Sequence, residues 1–481
     1  MAPRRGLGKE SCLILFKPRR GAIPAARGIA PRSTTDDATM SRSAIARALG
    51  SRLFLPSLLG LALLLRLGWV AWAYGDGVRP VSDAGWYFQR GIEMAHGAGY
   101  AVDGAPTAYW PVGYPAFLGL LVALFGTSPL PAMLANVALQ IGMIAATLGI
   151  ARRVTGSETA ARLAVLILAV APNMIAYSSL LLSESLFVML MLAALLLFLK
   201  GIDRAGYAAV AVAGLLFGLA ALVKPQAIPI PAVVLAALLI GRRRDDPLRT
   251  YRRSTALIYV IMLATLLPWM ARNYGLFGRF GIISTNDGIN LFIGNNPSAN
   301  GTYLLNDTLE REYFAAPDEP ARNGRARDIA LRHIAAHPLA TLALIPRKLW
   351  YLYRADAEGF SWNQRSLPDP ASSAGRRLDV LKIISFGYWI PLLGACLGGM
   401  ADMWRQRTER WGGALGGAII LYFTLVPLVF FGDGRFHFPV IPWMAIYAAM
   451  VIASRVRGAL PRAPGIAPLR GLGRFFRQRG G

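Results

Sequence analysis

Two carboxylates and three permanent cations stand where apolar runs of this chain end. Asp83 lies in Ser82-Asp83-Ala84-Gly85-Trp86-Tyr87, just past the first long apolar run, 53–74. Glu184 sits in Ser183-Glu184-Ser185, in a turn between two such runs, and Lys224 in Val223-Lys224-Pro225 between two more. Arg272 ends the next run, and Arg435, flanked by Asp433 and His437, opens the last. Ionisable residues beside a membrane are costly to keep and are usually functional. Arg and Lys are natural partners of a phosphate, and a carboxylate partly shielded from water gains proton affinity. The set therefore reads as a shared anionic site: Lys224, Arg272 and Arg435 hold a phosphate, and Asp83 faces both a lipid-borne substrate and water. Glu184 can orient a cation or an acceptor, and His437 can polarise the phosphate or cap its span. Tyr87, Tyr109, Trp110 and Tyr114 offer rings that can stack on a sugar or form an interfacial aromatic belt.

The elements that must position these residues are membrane spans. Of 481 residues, 55% are hydrophobic and only 16% charged, where a soluble domain has roughly 25% charged. The pattern is long apolar runs between short charged loops, not the alternating segments of about ten residues that make a transmembrane barrel. We read an all-α polytopic membrane protein of about ten transmembrane helices, at 52–74, 129–151, 163–180, 183–200, 206–222, 226–241, 254–273, 380–400, 413–431 and 437–454. The stretch 112–126 is too short to span and is expected to lie at the interface or re-enter the membrane. With this pairing, six basic segments fall on one side, which the positive-inside rule assigns to the cytoplasm. Lys224, Arg272 and Arg435 then lie on the opposite face, where cations are normally scarce.

Five regions follow: a basic disordered tail 1–51; a transmembrane core 52–273 with a first outer loop 75–128; an outer loop region 274–379; C-terminal transmembrane helices 380–454; and a basic cytoplasmic tail 455–481. Met40 is a second candidate start. In the outer region, Asn286-Asp287-Gly288-Ile289-Asn290 and Gly294-Asn295-Asn296-Pro297 read as turns, 319–336 as a helix, and 345–353 as an interfacial helix whose cations, Arg347 and Lys348, point toward lipid phosphate. Arg66, inside the first span, needs a buried partner, for which Glu184 is conceivable.

The formal charge of +25 does not indicate nucleic acid, because the basic residues flank apolar runs as topology signals and contacts to anionic membrane lipids. Cys12 and Cys396 lie in unlike settings and should not pair. His333 and His337 stand at i, i+4 without the glutamate of a zinc HExxH motif, and read as a solvated helix face. No cofactor is indicated. A divalent metal is allowed by the acids but not called for.

Several segments are familiar in combination. Ser82 to Tyr87, then Gly97-Ala98-Gly99-Tyr100, then 106–115 (PTAYWPVGYP) resemble the first outer loop of bacterial GT-C glycosyltransferases, the relatives of protein O-mannosyltransferases and of the lipid A aminoarabinose transferase. Ser183-Glu184-Ser185-Leu186-Phe187, Pro268-Trp269 with Arg272-Asn273-Tyr274, 290–297 (NLFIGNNP) and Arg435-Phe436-His437-Phe438-Pro439 resemble later segments of the same group, in the same order. The resemblance implies a multispan catalytic fold, a polyprenyl-phosphate-linked sugar as donor, and an envelope glycolipid, polysaccharide or protein as acceptor. It also implies transfer on the outer face of a bacterial cytoplasmic membrane, with Asp83 at the position of the loop acid. Eukaryotic-type members often carry a paired Asp-Glu there. Ala84 follows Asp83 here, so no essential metal is inferred. Glycosyl transfer from such a donor needs a base at the acceptor hydroxyl, which Asp83 can supply, and charge stabilisation on the departing phosphate. The rival class is a multispan transporter or lipid flippase, which tends to show internal repeats; none is visible.

Overall fold

The computed structural model describes residues 49–204, 206–241, 248–304, 311, 316, 318–405 and 410–456. Most of both basic tails, Met40, and much of the basic segments at 242–253 and 405–410 lie outside the described residues.

Among the described residues, seven helices are long and apolar enough to cross a membrane: Phe54–Gly75, Leu130–Thr155, Glu184–Asp203, Leu248–Phe277, Ser373–Met403, Gly412–Val429 and Gly434–Arg455. Two bent pairs bring the number to nine when each is counted as one span. The short apolar helices Tyr207–Val223 and Pro225–Gly241 fall where the fifth and sixth spans were expected. Burial sorts these helices into layers. In Gly434–Arg455, 83% of the apolar window is buried inside the protein, and in Glu184–Asp203, 67%. In Phe54–Gly75 and Ser373–Met403 only 22% is buried, and their apolar side chains face outward. The two most enclosed helices each begin with residues of the candidate site.

The expected third span is broken. Glu158–Ala169 and Pro172–Ser179 meet at a 53° bend. Pro172 has no N–H to continue the ladder and disfavours helical backbone in the residue before it; Ala171 is accordingly extended, with ψ 111. The break frees carbonyls, and Arg66 takes them. Its Nη2 donates to Leu168 O (3.1 Å) and its Nη1 to Ala169 O (3.0 Å) and Ala62 O (3.1 Å), while Nε donates to Gln140 Oε1 (2.7 Å). The expected partner Glu184 is not involved: a guanidinium needs acceptors, and a broken helix end supplies them without a second buried charge.

Between the first two spans, helix Ser82–Ala95 packs on helix Gly113–Phe125. The approach is so close that a Cβ on Gly91 would meet Leu118 Cβ at 2.9 Å. A hairpin, Ala101–Val102 paired with Ala105–Pro106, turns through Asp103 (φ 50) and Gly104 (φ 79), the two left-handed residues that a tight hairpin turn requires.

In the region 274–379, Glu319–Ala336 and Ile345–Tyr353 are helices as expected. Asp287–Gly294 is a helix rather than a turn: Asn323 Oδ1 accepts from Gly288 N (2.7 Å) near its start, and Ile289, Phe292 and Ile293 bury one face. Lys348 does not reach toward lipid. It is 1% exposed, and its Nζ donates to Asn295 Oδ1 (3.0 Å) and Leu428 O (3.1 Å), bolting Ile345–Tyr353 to the span Arg410–Val429.

The sidedness read from charge predicts that cysteines placed at the exposed Ser298 and the half-buried Ser372 label with a membrane-impermeant reagent in intact cells, while one at Thr250 is protected. The reverse pattern would turn the molecule over.

Candidate functional site

Four of the sequence-nominated charges converge. Arg435 enters from the 3-10 turn Gly434–Val440, whose start Asp433 caps by accepting from Arg435 N (2.9 Å). Arg435 Nη1 donates to Asp83 Oδ2 at 2.8 Å, and its Nε lies 3.4 Å from Glu184 Oε1. Lys224, in the bend between Tyr207–Val223 and the next helix, donates from Nζ to the same Glu184 Oε1 at 2.9 Å. Glu184 starts its helix and is 1% exposed, whereas Asp83 is 24% exposed by side chain and reachable from the cleft. The result is a quartet of two acids and two cations drawn from four distant stretches of chain. Such a buried acid is tolerated only because it is paired.

Asp83 stands in the first turn of its helix, and the residue before it, Ser82, has φ 53. Left-handed backbone at a non-glycine residue costs of order 1 kcal/mol or more and tends to occur where geometry matters for function. Here it fixes the angle at which the Asp83 carboxylate leaves the helix.

Three members of the quartet line a cleft of 1240 Å³, with Glu184 enclosed behind them. Asp83, Lys224, Arg435, Tyr87, Tyr109 and Trp110 line it. Tyr87 is 4% exposed and packs edge-on to Trp110 (5.7 Å) and Tyr114 (5.4 Å); burial raises its phenol well above the ordinary range. Tyr114, 1% exposed, lies behind Tyr87 and does not line the cleft.

Two nominated residues do other work. Arg272 stays off the cleft wall: Nη1 donates to Thr107 O (2.7 Å) and Asn273 Oδ1 (2.9 Å), Nη2 to Tyr100 O (2.8 Å), and the guanidinium lies 4.6 Å over the Trp269 ring. It ties the hairpin to the end of helix Leu248–Phe277. His437 is 1% exposed and stacked on Trp389 at 4.6 Å, with Nδ1 2.6 Å from Leu352 O and Nε2 3.0 Å from Asp356 Oδ1. Both ring nitrogens are engaged within the protein. Arg272→Ala is therefore expected to loosen the hairpin: protease cleavage near Asp103 should rise severalfold, while affinity for a lipid phosphate changes less than twofold. A large loss of that affinity with an intact hairpin would return Arg272 to the anion site.

Beside the quartet stand residues to which the sequence assigned no role. Helix Glu358–Arg365 presents Glu358, Trp362 and Arg365 to the cleft; their i, i+4, i+7 spacing was the available signal. Burial, with a contribution from the nearby Asp433, raises the Glu358 carboxyl above its ordinary range. Among the described residues, no group of three or more acids, histidines or cysteines could hold a metal ion.

This arrangement, a helical bundle in which an acid of the first loop meets a late arginine beside a large cleft, is similar in fold to GT-C glycosyltransferases. Residues 110–271 match the family model of dolichyl-phosphate-mannose-protein mannosyltransferases. In fold, the chain is similar to the oligosaccharyltransferase of Archaeoglobus fulgidus in the apo form, with TM-score 0.53, 15% identity, and coverage of 84% of this chain and 51% of that one. The same archaeal enzyme, AglB, in complex with an inhibitory peptide and a dolichol-phosphate matches with TM-score 0.51, 15% identity and coverage of 84% and 50%. The chain thus spans about half the length of these enzymes. ArnT from Cupriavidus metallidurans bound to undecaprenyl phosphate matches at TM-score 0.43, 17% identity, and coverage of 84% and 77%. No curated protein matches the chain by sequence. The expected resemblance to GT-C glycosyltransferases is borne out in fold and, over residues 110–271, in sequence, and the molecule is a multi-pass membrane protein.

Proposed function

We propose that the protein transfers a sugar from a polyprenyl-phosphate donor to an envelope glycolipid, polysaccharide or protein on the outer face of the cytoplasmic membrane. The observation that carries this reading is the quartet in which Asp83, Arg435 and Lys224 line one large cleft and the enclosed Glu184 pairs with both cations. Asp83 Oδ2 is held by Arg435, so its other oxygen can accept the proton of an acceptor hydroxyl. The acceptor oxygen then bonds to the anomeric carbon as the bond from that carbon to the phosphate oxygen breaks, and the electron pair leaves with the lipid phosphate. Attack in line on a single displacement inverts the anomeric centre. Arg435 and Lys224 stand beside the path of the departing charge, where pre-placed cations lower the barrier. Glu184, fully enclosed, positions both cations. Tyr109 and Trp110 offer faces for the sugar ring, with Tyr87 lining the cleft beside them and Tyr114 supporting Tyr87 from behind. The dolichol-phosphate bound to the archaeal relative supports a lipid phosphate as the leaving group.

The test is mass spectrometry of envelope glycolipids, polysaccharide fragments and glycoproteins with and without the gene, joined to an in vitro assay with purified protein and a polyprenyl-phosphate sugar. Loss of one glycoform on deletion, restored by the wild-type gene, is expected. An unchanged envelope together with no consumption of donor sinks the reading.

A further inference from the structure

The charge balance of the quartet has a consequence for where a phosphate can bind. Asp83 and Glu184 carry two negative charges, and Lys224 and Arg435 two positive. Arg435 is held by both acids, at 2.8 and 3.4 Å, and Lys224 by Glu184 at 2.9 Å. The group is neutral as it stands. A sugar-bearing lipid phosphate carries about one negative charge, and the released monoester about 1.5 to 2 near neutral pH. The countercharge for that increase must come from outside the quartet.

The other cations on the cleft wall are Arg279, Arg327, Arg354 and Arg365. Arg327 is paired with Asp287 at 2.6 Å. Arg279 reaches Pro320 O at 3.4 Å, and Arg354 lies over the Tyr351 ring at 4.6 Å. Arg365 alone among them shares a partner with the quartet. Its guanidinium carbon lies 5.3 Å from the centre of the Trp362 ring, and that of Arg435 lies 5.6 Å from the same centre. The two guanidinium groups are therefore no more than about 11 Å apart. Arg365 has no carboxylate within ion-pair distance among the described residues, its nearest electrostatic partner being the Glu358 carboxyl, and its side chain is exposed.

Its platform is rigid. Gly359 N donates to Asn173 Oδ1 (2.7 Å), Asn363 Nδ2 to Ala176 O (2.9 Å), and Ser179 Oγ to Asn363 Oδ1 (2.6 Å). These bonds seat helix Glu358–Arg365 on the segment that leads into Glu184. Trp362, 7% exposed, is fixed beneath both cations. The nearby acids weaken the site less than their number suggests: Asp433 is turned to cap Arg435, and burial favours the neutral form of Glu358.

We propose that Arg365 supplies the net positive charge that holds the phosphate of the lipid-borne substrate, beside a quartet that is neutral by itself. This rests on the glycosyl-transfer reading above, since it presumes a lipid phosphate in the cleft. Arg365 is a binding residue for the donor, and for the product phosphate even more so, because that group carries the larger charge.

The experiment measures binding of a polyprenyl phosphate to the full chain in non-ionic detergent, with the matching polyprenol and inorganic phosphate as comparison probes. Arg365→Gln should weaken polyprenyl phosphate roughly tenfold to hundredfold, the range for a lost charge-assisted contact. It should leave polyprenol binding unchanged. Arg365→Lys should recover part of the loss, and Arg279→Gln should bind like wild type. Wild-type protein that binds polyprenyl phosphate no better than polyprenol would overturn the donor reading itself. Wild-type affinity in Arg365→Gln, alongside a loss in Arg435→Gln, would leave that reading standing and overturn this proposal. Inorganic phosphate binding as tightly as the lipid form would also overturn it, by making the site one for free phosphate. The thermal midpoint of each variant shows whether it is folded.

Discussion

Asp83→Asn should slow glycosyl transfer by roughly 10²–10⁴-fold, the usual cost of losing a general base, while affinity for a polyprenyl phosphate stays level or rises. The two halves of this expectation have different causes. Asn keeps the size of the side chain and an oxygen for Arg435 but cannot take a proton from a hydroxyl. It also removes one negative charge from a balanced quartet, so the remaining charges sum to plus one and an anion is better received. A residue that only capped its helix would tolerate the change, because Asn and Asp are comparable caps. The comparison is Asp103→Asn, in the hairpin turn of the same loop, which should transfer at a near-native rate. If both variants transfer alike and near the wild-type rate, Asp83 is not the base, and Glu358 becomes the carboxyl to examine. A parallel fall in turnover and lipid-phosphate affinity would instead mean that Asp83 shapes the binding site.

Arg66→Leu should cost the fold at least about 3 kcal/mol, since four donor contacts disappear and hydrogen bonds to charged groups are worth about 1.5–3 kcal/mol each before non-additivity. The acceptors do not vanish with the arginine. Leu168 O and Ala169 O remain at a helix break inside the protein, and Gln140 Oε1 faces an apolar side chain. Arg66→Lys should fall between, as an ammonium lacks the planar fork that reaches several acceptors at once. The double change Arg66→Leu with Gln140→Leu should recover part of the loss by removing one stranded group. Thermal unfolding in detergent reads all three, and a wild-type midpoint for Arg66→Leu would show that water or lipid satisfies those carbonyls.

Much of this architecture was legible from hydropathy and charge alone. Apolar runs mark where helices lie because length and composition are local properties, and the positions of Asp83, Glu184, Lys224 and Arg435 at the ends of runs followed directly. Their meeting was an inference from topology. What could not be read was how each group spends its hydrogen bonds. Arg272 and His437 looked like ligands for a substrate, yet their partners are backbone carbonyls and Asp356, more than sixty residues away in sequence in every case but the neighbouring Asn273. Lys348 was placed toward lipid by the amphipathic pattern of its helix, but the acceptors Asn295 Oδ1 and Leu428 O draw it inward. The i, i+4, i+7 spacing of Glu358, Trp362 and Arg365 marks a shared helix face, but a hydrophilic stretch gives no sign of what that face packs against. The break before Pro172 was not foreseen, since 163–180 read as one continuous span, and the arginine that seals it lies in a different span.

That seal bears on how the protein is built. An arginine near the centre of a helix raises the cost of placing it in a bilayer by about 2.5–3.5 kcal/mol. When helix Phe54–Gly75 first enters the membrane, Gln140 and the carbonyls at 168–169 do not yet exist as neighbours; about a hundred residues of chain must still be made. Until then the arginine must be tolerated by snorkelling or by the insertion machinery. The first helix is thus completed by the third, and release of the early helices into lipid has reason to wait for it.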